Sequence, residues 1–213
     1  PRQQFAYIRL NVAVDVYDSD KRNPDLSRYY NRKVPVTQID LSSKTAFDTL
    51  FDKISEGQNR ALFDLAAGAG DALKYLVHGD IQLAGTLKEL GARLTIVFVL
   101  NRSRSSLAAL HQSFIDLKEV PVDWIVVRNN HYGEPEKYIR YANSNTRIEA
   151  RSRGAIELDM PELLDDLYDE LDQSSVPFCE AADSEKLSFT NKRRIRAWLE
   201  KFDGEIDRAM AVL

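Results

Sequence analysis

The chain has one cysteine, Cys179, in 213 residues, so no internal disulfide can form and a reducing, cytoplasmic setting is expected. Long apolar runs are also missing. None approaches the roughly 20 residues that cross a bilayer, so no membrane span is expected. No secretory leader is visible, yet Pro1 rather than methionine opens the chain, which raises the expectation of a segment upstream. Positive charge is not in excess: 29 Lys and Arg stand against 33 Asp and Glu, for a net charge of -4. That balance argues against a body that coats nucleic acid by charge alone, so any direct DNA contact has to be local. The three histidines, His78, His111 and His131, lack metal-ligand spacing, and His111 reads as a partly exposed packing residue of an amphipathic helix. No glycine is followed by lysine anywhere in the sequence.

With 44% hydrophobic residues, the chain can bury one substantial core. Short apolar runs alternate with helical patterns, the sign of parallel strands joined by crossover helices. Strands are expected in IRLNVAVDVYD, VPVTQIDL, ALFDLAA, LTIVFVLN and VDWIVVRNN, with a short last one in AIELDMPEL. LTIVFVL is apolar nearly throughout and should be central, whereas Asp15 hints that its strand is an edge or half covered. Helical stripes place Phe47, Leu50, Phe51 and Ile54 on one face, and Leu107, Leu110, Phe114 and Leu117 on another. A long helix over DALKYLVHGDIQLAGTLKELG should break near His78 and Gly79 and end at Gly91. Pro161 is expected to open a helix whose leucine stripe, Leu163, Leu164, Leu167 and Leu171, is ringed by acids. A closing helix that starts near Ser188 or Thr190 would turn Ile195, Trp198, Leu199, Phe202, Ile206 and Met210 inward. The expected organisation is an α/β domain over 1–160, a mostly parallel twisted sheet flanked by helices, with C-terminal helices over 161–213 packed on it.

In RALFDLAAGAGDAL the apolar strand ends in Asp64, where an unbound carboxylate is costly, and runs into small residues that admit close backbone approach. VAVDVYDSDKRN places Asp18 and Asp20 just beyond another apolar strand. In an open parallel sheet, ligands bind outside the carboxyl ends of the strands, so these acids stand where a hydrated Mg²⁺ with a nucleotide would sit. The competing reading makes them turn and cap residues, which aspartate commonly is.

The order of these parts resembles the ParA/MinD-type deviant-Walker ATPases over about residues 11–165. VYDSDKRN is similar to the family's apolar strand with Asp-x-Asp and a nearby Asn, ALFDLAAGAG to its Walker B strand and switch loop, and DWIVVRNN to the strand whose terminal Asn reads adenine. Within the family, FDTLFDKI and the basic-aromatic NKRRIRAWLEKF resemble plasmid mobilisation and conjugal-transfer ATPases of the MobD/StbB/TraL kind. The resemblance implies a P-loop NTPase-like fold, ATP and Mg²⁺ as cofactors, and a dimer with a protein partner in a DNA-transfer or partition complex. It implies Asp18 at the switch that aligns the attacking water, Asp20 supporting that loop, and Asp64 holding the magnesium's water. Gly68 would lie near the γ-phosphate, Asn129 at the adenine edge, and the Met160-Pro161 turn beside the base. The family's phosphate loop, a glycine-rich turn ending in Gly-Lys-Ser/Thr, is absent from this sequence, as is the room for it before Asp18. Two expectations follow: ATP hydrolysis with that loop upstream of Pro1, or a non-catalytic docking module that lacks it.

Three further features stay open. The turn Arg102, Ser103, Arg104, Ser105, Ser106 suits an anion, though helix N-capping also explains its serines. HYGEPEKYIRYANSNTR mixes Tyr132, Tyr138 and Tyr141 with Lys137, Arg140 and Arg147, which suits base stacking or an ordinary partner-binding surface. The run Lys192, Arg193, Arg194, Arg196 fits the solvated face of the closing helix.

Overall fold

The computed structural model describes residues 14–57, 60–66 and 69–213. Among the described residues six strands are all paired in parallel, as the alternation with helices requires, and they form two three-stranded sheets. The chain gathers into two compact units, one running to Leu76 with Asp166–Lys192 added, the other combining Val77–Asp165 with Arg193–Leu213.

In the first unit β1 (Asp15–Asp18) is central, flanked by β2 (Val36–Gln38) and β3 (Ala61–Asp64). Asp15 is therefore not an edge signal: β1 has neighbours on both sides, and the Asp15 carboxylate accepts a hydrogen bond from Lys53 Nζ at 2.8 Å. The connections are α1 (Asp25–Tyr30) and α2 (Asp48–Ser55). Alternation sends Val16 to one face of the sheet, where it joins Leu26, Tyr29 and Tyr30, and sends Tyr17 to the other. Tyr17 stacks there on its register partner Phe63, with centroids 4.6 Å apart, and Phe47 leans on the same ring. Asn31 Oδ1 accepts from Val36 N at 3.2 Å, occupying a backbone donor that β2 does not give to β1.

The division between the units falls within α3 (Gly70–His78), and the second unit goes on to α4 (Leu83–Leu90), which stops at Gly91 in the left-handed region (φ 61°). The break between these helices falls at Gly79–Gln82, where the sequence places it. Here β5 (Val122–Asn129) is central, between β4 (Leu94–Leu100) and β6 (Ile156–Met160). This corrects the expectation for LTIVFVL. Among the described residues β4 pairs on one side only and leaves Val99 54% exposed, while Trp124, Ile125, Val126 and Val127 of β5 are all buried. Apolar content marks a strand that packs on helices but does not rank its position in the sheet.

Helix α5 (Arg104–Asp116) buries Leu110 and Phe114, as its stripe requires, and Phe114 meets Trp124 edge-on at 4.6 Å. Short α6 (Ile139–Ala142) and α7 (Asn145–Ser152) precede β6. Pro161 does not open a helix: α8 (Asp165–Ser174) starts four residues later, and the Pro161 carbonyl instead accepts the Trp198 indole N–H at 2.8 Å. In α8 Leu167 and Leu171 are buried, as is Leu163 before it, but Leu164 is exposed. After α9 (Phe178–Ala181), α10 (Phe189–Asp207) buries Ile195, Trp198, Phe202 and Ile206. Met210 lies beyond its end and is only half-buried. Glu205 Oε2 accepts from Asp159 N at 2.9 Å and Arg208 donates to the Glu157 carbonyl at 3.1 Å, covering the outer edge of β6. Among the described residues no helix is long and apolar enough to cross a membrane.

A half-buried ion pair ties α7 to β6. Arg147 Nε and Nη2 donate to the two oxygens of Glu157, both at 2.8 Å, and Tyr141 Oη donates at 3.1 Å. The Arg147 hydrogen bonds hold the Glu157 carboxyl below its ordinary range despite burial. Removing Arg147 would leave the half-buried Glu157 carboxylate with Tyr141 and, at 3.7 Å, Arg151, so Arg147→Met should cost about 1–3 kcal/mol near pH 7. A depressed folded-state pKa gives stability that is present above the unfolded value and lost as pH falls. The gap between variant and parent in urea denaturation should therefore narrow as pH drops through the carboxylate range. A gap independent of pH would contradict this assignment.

Candidate functional site

Parallel register pairs Asp18 directly with Asp64, at the carboxyl ends of neighbouring strands. Registered residues in a parallel pair share a face, about 5 Å apart, so the two acids stand side by side as the sequence anticipates. Ser19, which the sequence reading did not single out, fixes this end of the sheet. Its N–H and hydroxyl both donate to the Asp64 carbonyl, at 3.0 and 2.9 Å, and its Oγ accepts from Ala66 N at 3.0 Å. Such a hydroxyl between two acids carries no signal of its own in a single sequence.

The two carboxylates differ in what they already hold. Asp18 is fully buried: Oδ1 accepts from Asp20 N, and Oδ2 from the N–H and hydroxyl of Ser27, each at 3.0 Å. It binds the loop from β1 to the first turn of α1, satisfying helix donors as a cap does. Asp20 likewise accepts from Arg22 N and Asn23 N, at 2.9 and 3.0 Å, in an exposed turn. Asp64 is half-buried, and among the described residues its carboxylate has no hydrogen-bond partner. Burial first, then the charges of Asp18 and Asp20, push its carboxyl above the ordinary aspartate range.

An unpartnered, half-buried carboxylate beside other acids is a group that a hydrated cation would satisfy. Mg²⁺ keeps several waters and needs only one or two protein carboxylates. Among the described residues there is no cluster of three or more metal-ligating side chains. The donor set therefore fits a water-shelled cation held through Asp64, and does not fit a metal caged by protein alone.

Gly68 lies outside the described residues. Asn129 ends β5, with its side-chain oxygen capping the following turn through His131 N at 3.2 Å. The next residue carries a stronger signal. Asn130 is 7% exposed, and its side-chain oxygen has no hydrogen-bond partner among the described residues. Met160 is buried and Pro161 half-buried after β6.

The loop after β5 corrects one expectation. Tyr138 and Tyr141 are buried and do not present rings to bases. Tyr138 Oη donates to the Asn129 carbonyl at 2.7 Å and lies 3.2 Å from that of Leu100, joining the ends of β5 and β4; burial pushes its pKa up to about 12. Arg147 is committed to Glu157. In the Arg102–Ser106 turn, Ser103 Oγ accepts from Ser106 N at 3.0 Å, so N-capping accounts for that serine.

No known protein-family profile matches the chain. No solved structure matches it. The chain is similar to Protein MobD of Acidithiobacillus ferrooxidans, 25% identical over 186 residues that cover 87% of this chain and 79% of that protein.

The raised Asp64 carboxyl gives a sign to its replacement. A raised folded-state pKa means the folded state prefers the protonated form, so stability falls as pH rises past the ordinary aspartate range. Asp64→Asn should therefore raise the thermal midpoint at pH 7. The gain should fade below about pH 4. A lower midpoint at pH 7 would contradict the site's electrostatics.

Proposed function

We propose that this protein is a cytoplasmic, ParA/MinD-like Mg²⁺-dependent ATPase switch acting in plasmid mobilisation or DNA partition. The observation that carries the reading is the registered pair Asp18 and Asp64 at one strand rim, with the Asp64 carboxylate making no hydrogen bond among the described residues and its carboxyl raised by burial. The likeness to Protein MobD over most of the chain supports the plasmid setting.

In this reading Asp64 holds a metal-bound water. Asp18 and Asp20 hold the 18–27 loop in the shape that positions an attacking water, while the roles of Gly68 toward the γ-phosphate and of Asn129 and Pro161 toward the base rest on the family resemblance alone. Bound Mg²⁺ would offset the phosphates' charge during transfer to water. Phosphoryl transfer also needs donors around the phosphates, and no Gly-Lys loop lies within these 213 residues. The reading therefore requires that loop from a segment upstream of Pro1. Nucleotide would then act through self-association into a dimer and through a protein partner. In a second reading the same sheet serves as a docking module without hydrolysis.

Equilibrium binding of a fluorescent ATP analogue to the full-length protein separates the two. The ATPase reading expects Mg²⁺-dependent binding that weakens by about tenfold or more in Asp64→Asn. Equal binding by both proteins removes Asp64 from the metal site. No binding by a folded parent protein leaves the docking module.

A further inference from the structure

The turn after β4 and the loop after β5 bring three cations around one shallow, open hollow of about 10 Å³ at the carboxyl end of the second unit's sheet. Arg102, Lys137 and Arg140 line it, over a floor that includes Leu107 and Tyr138. The cations are placed without being neutralised. Arg102 Nη1 donates to the Tyr132 carbonyl at 2.9 Å, and Arg140 Nη1 to the Arg102 carbonyl at 3.0 Å. Each guanidinium spends one donor on a neutral acceptor and keeps the rest of its fork free. The Lys137 ammonium has no hydrogen bond or ion pair among the described residues, only its backbone N–H donating to the Glu134 carbonyl at 2.8 Å, and the carboxylates of Glu134 and Glu136 in the same loop pair with none of the three. Elsewhere in this unit Arg128, Arg147 and Arg153 are each committed to a carboxylate, at 2.6–2.8 Å.

The loop backbone is shaped for this convergence. Gly133 has φ +118°, and a Cβ there would stand 2.8 Å from Lys137 Cδ and 3.2 Å from Arg102 Nη1. A side chain at 133 would push Lys137 and Arg102 apart. Like charges drawn together over a glycine, with their acids absent, repel one another until an anion joins them.

We propose that this hollow binds a phosphate-type oxyanion, held by Arg102, Lys137 and Arg140, as a site separate from the Asp18 and Asp64 rim. Forked guanidiniums match the spacing of phosphate oxygens, and the open mouth admits a free phosphate or the phosphodiester of a nucleic acid strand. The serines of the α5 cap are already engaged, so the three cations carry the binding.

The test is a backbone amide NMR titration of the full-length protein at constant ionic strength. The probes are pyrophosphate, a single-stranded oligodeoxynucleotide of about 12 nucleotides, and acetate as a control. Shifts should centre on Arg102, Ser103, Lys137 and Arg140, and affinity should fall about tenfold or more in the double variant Lys137→Gln with Arg140→Gln. Lys137→Gln alone, with a smaller loss, serves if the double variant does not fold. Response to pyrophosphate alone assigns a free phosphate. Tighter binding of the oligonucleotide, steepening at low salt, assigns the phosphodiester. The proposal is overturned if neither phosphate probe moves these amides, if acetate moves them equally, or if the variants bind like the parent.

Discussion

The parallel pairing of β1 with β3 is the constraint on which the candidate site depends. Because the register sets Val16 against Leu62 and Tyr17 against Phe63, Asp18 can only fall beside Asp64. The same alternation that buries Val16 and stacks Tyr17 on Phe63 delivers two acids to one face at the strand ends. A slip of one residue would bury an aromatic ring among aliphatic side chains and scatter the carboxylates. Core packing and site geometry are thus the same fact seen at two ends of a strand.

Adjacent carboxylates are tolerable because one of them is spent on structure. Asp18 collects three donors from the loop and from α1, which offsets its complete burial. Among the described residues Asp64 has no such donors, and burial pushes its carboxyl above the ordinary range. The two acids are therefore unlike: Asp18 organises the loop, and Asp64 is the less committed of the pair. The cation hollow of the second unit shows the opposite sign of the same device, charges fixed in place by neutral backbone acceptors and left unneutralised.

Much of this was legible in the amino-acid pattern. Strand positions, the break after His78, the Gly91 cap and the core stripe of α5 follow from periodicity and from glycine chemistry, which act over a few residues. The rim acids were visible because a charge at the end of an apolar run is rare without a reason. What stayed hidden depends on partners remote in sequence. Asp18 is engaged by Ser27, nine residues on, and Tyr138 is drawn into the core by carbonyls at the ends of two strands. Strand order in the second sheet was misjudged because β4 and β5 are both apolar, and only pairing separates them. Pro161 read as a helix opener because proline favours that position, but its carbonyl is committed to Trp198.

The account's central claim is that Asp64 stands beside a structural acid, with its carboxyl raised by burial and by that neighbour's charge. Its most direct test is the pH titration of the Asp64 side-chain carboxyl ¹³C resonance, in the parent and in Asp18→Asn. The account predicts a midpoint above the ordinary aspartate value of about 3.9 in the parent, moving downward once the neighbouring charge is removed. A midpoint at or below that value, or one indifferent to Asp18, would contradict it.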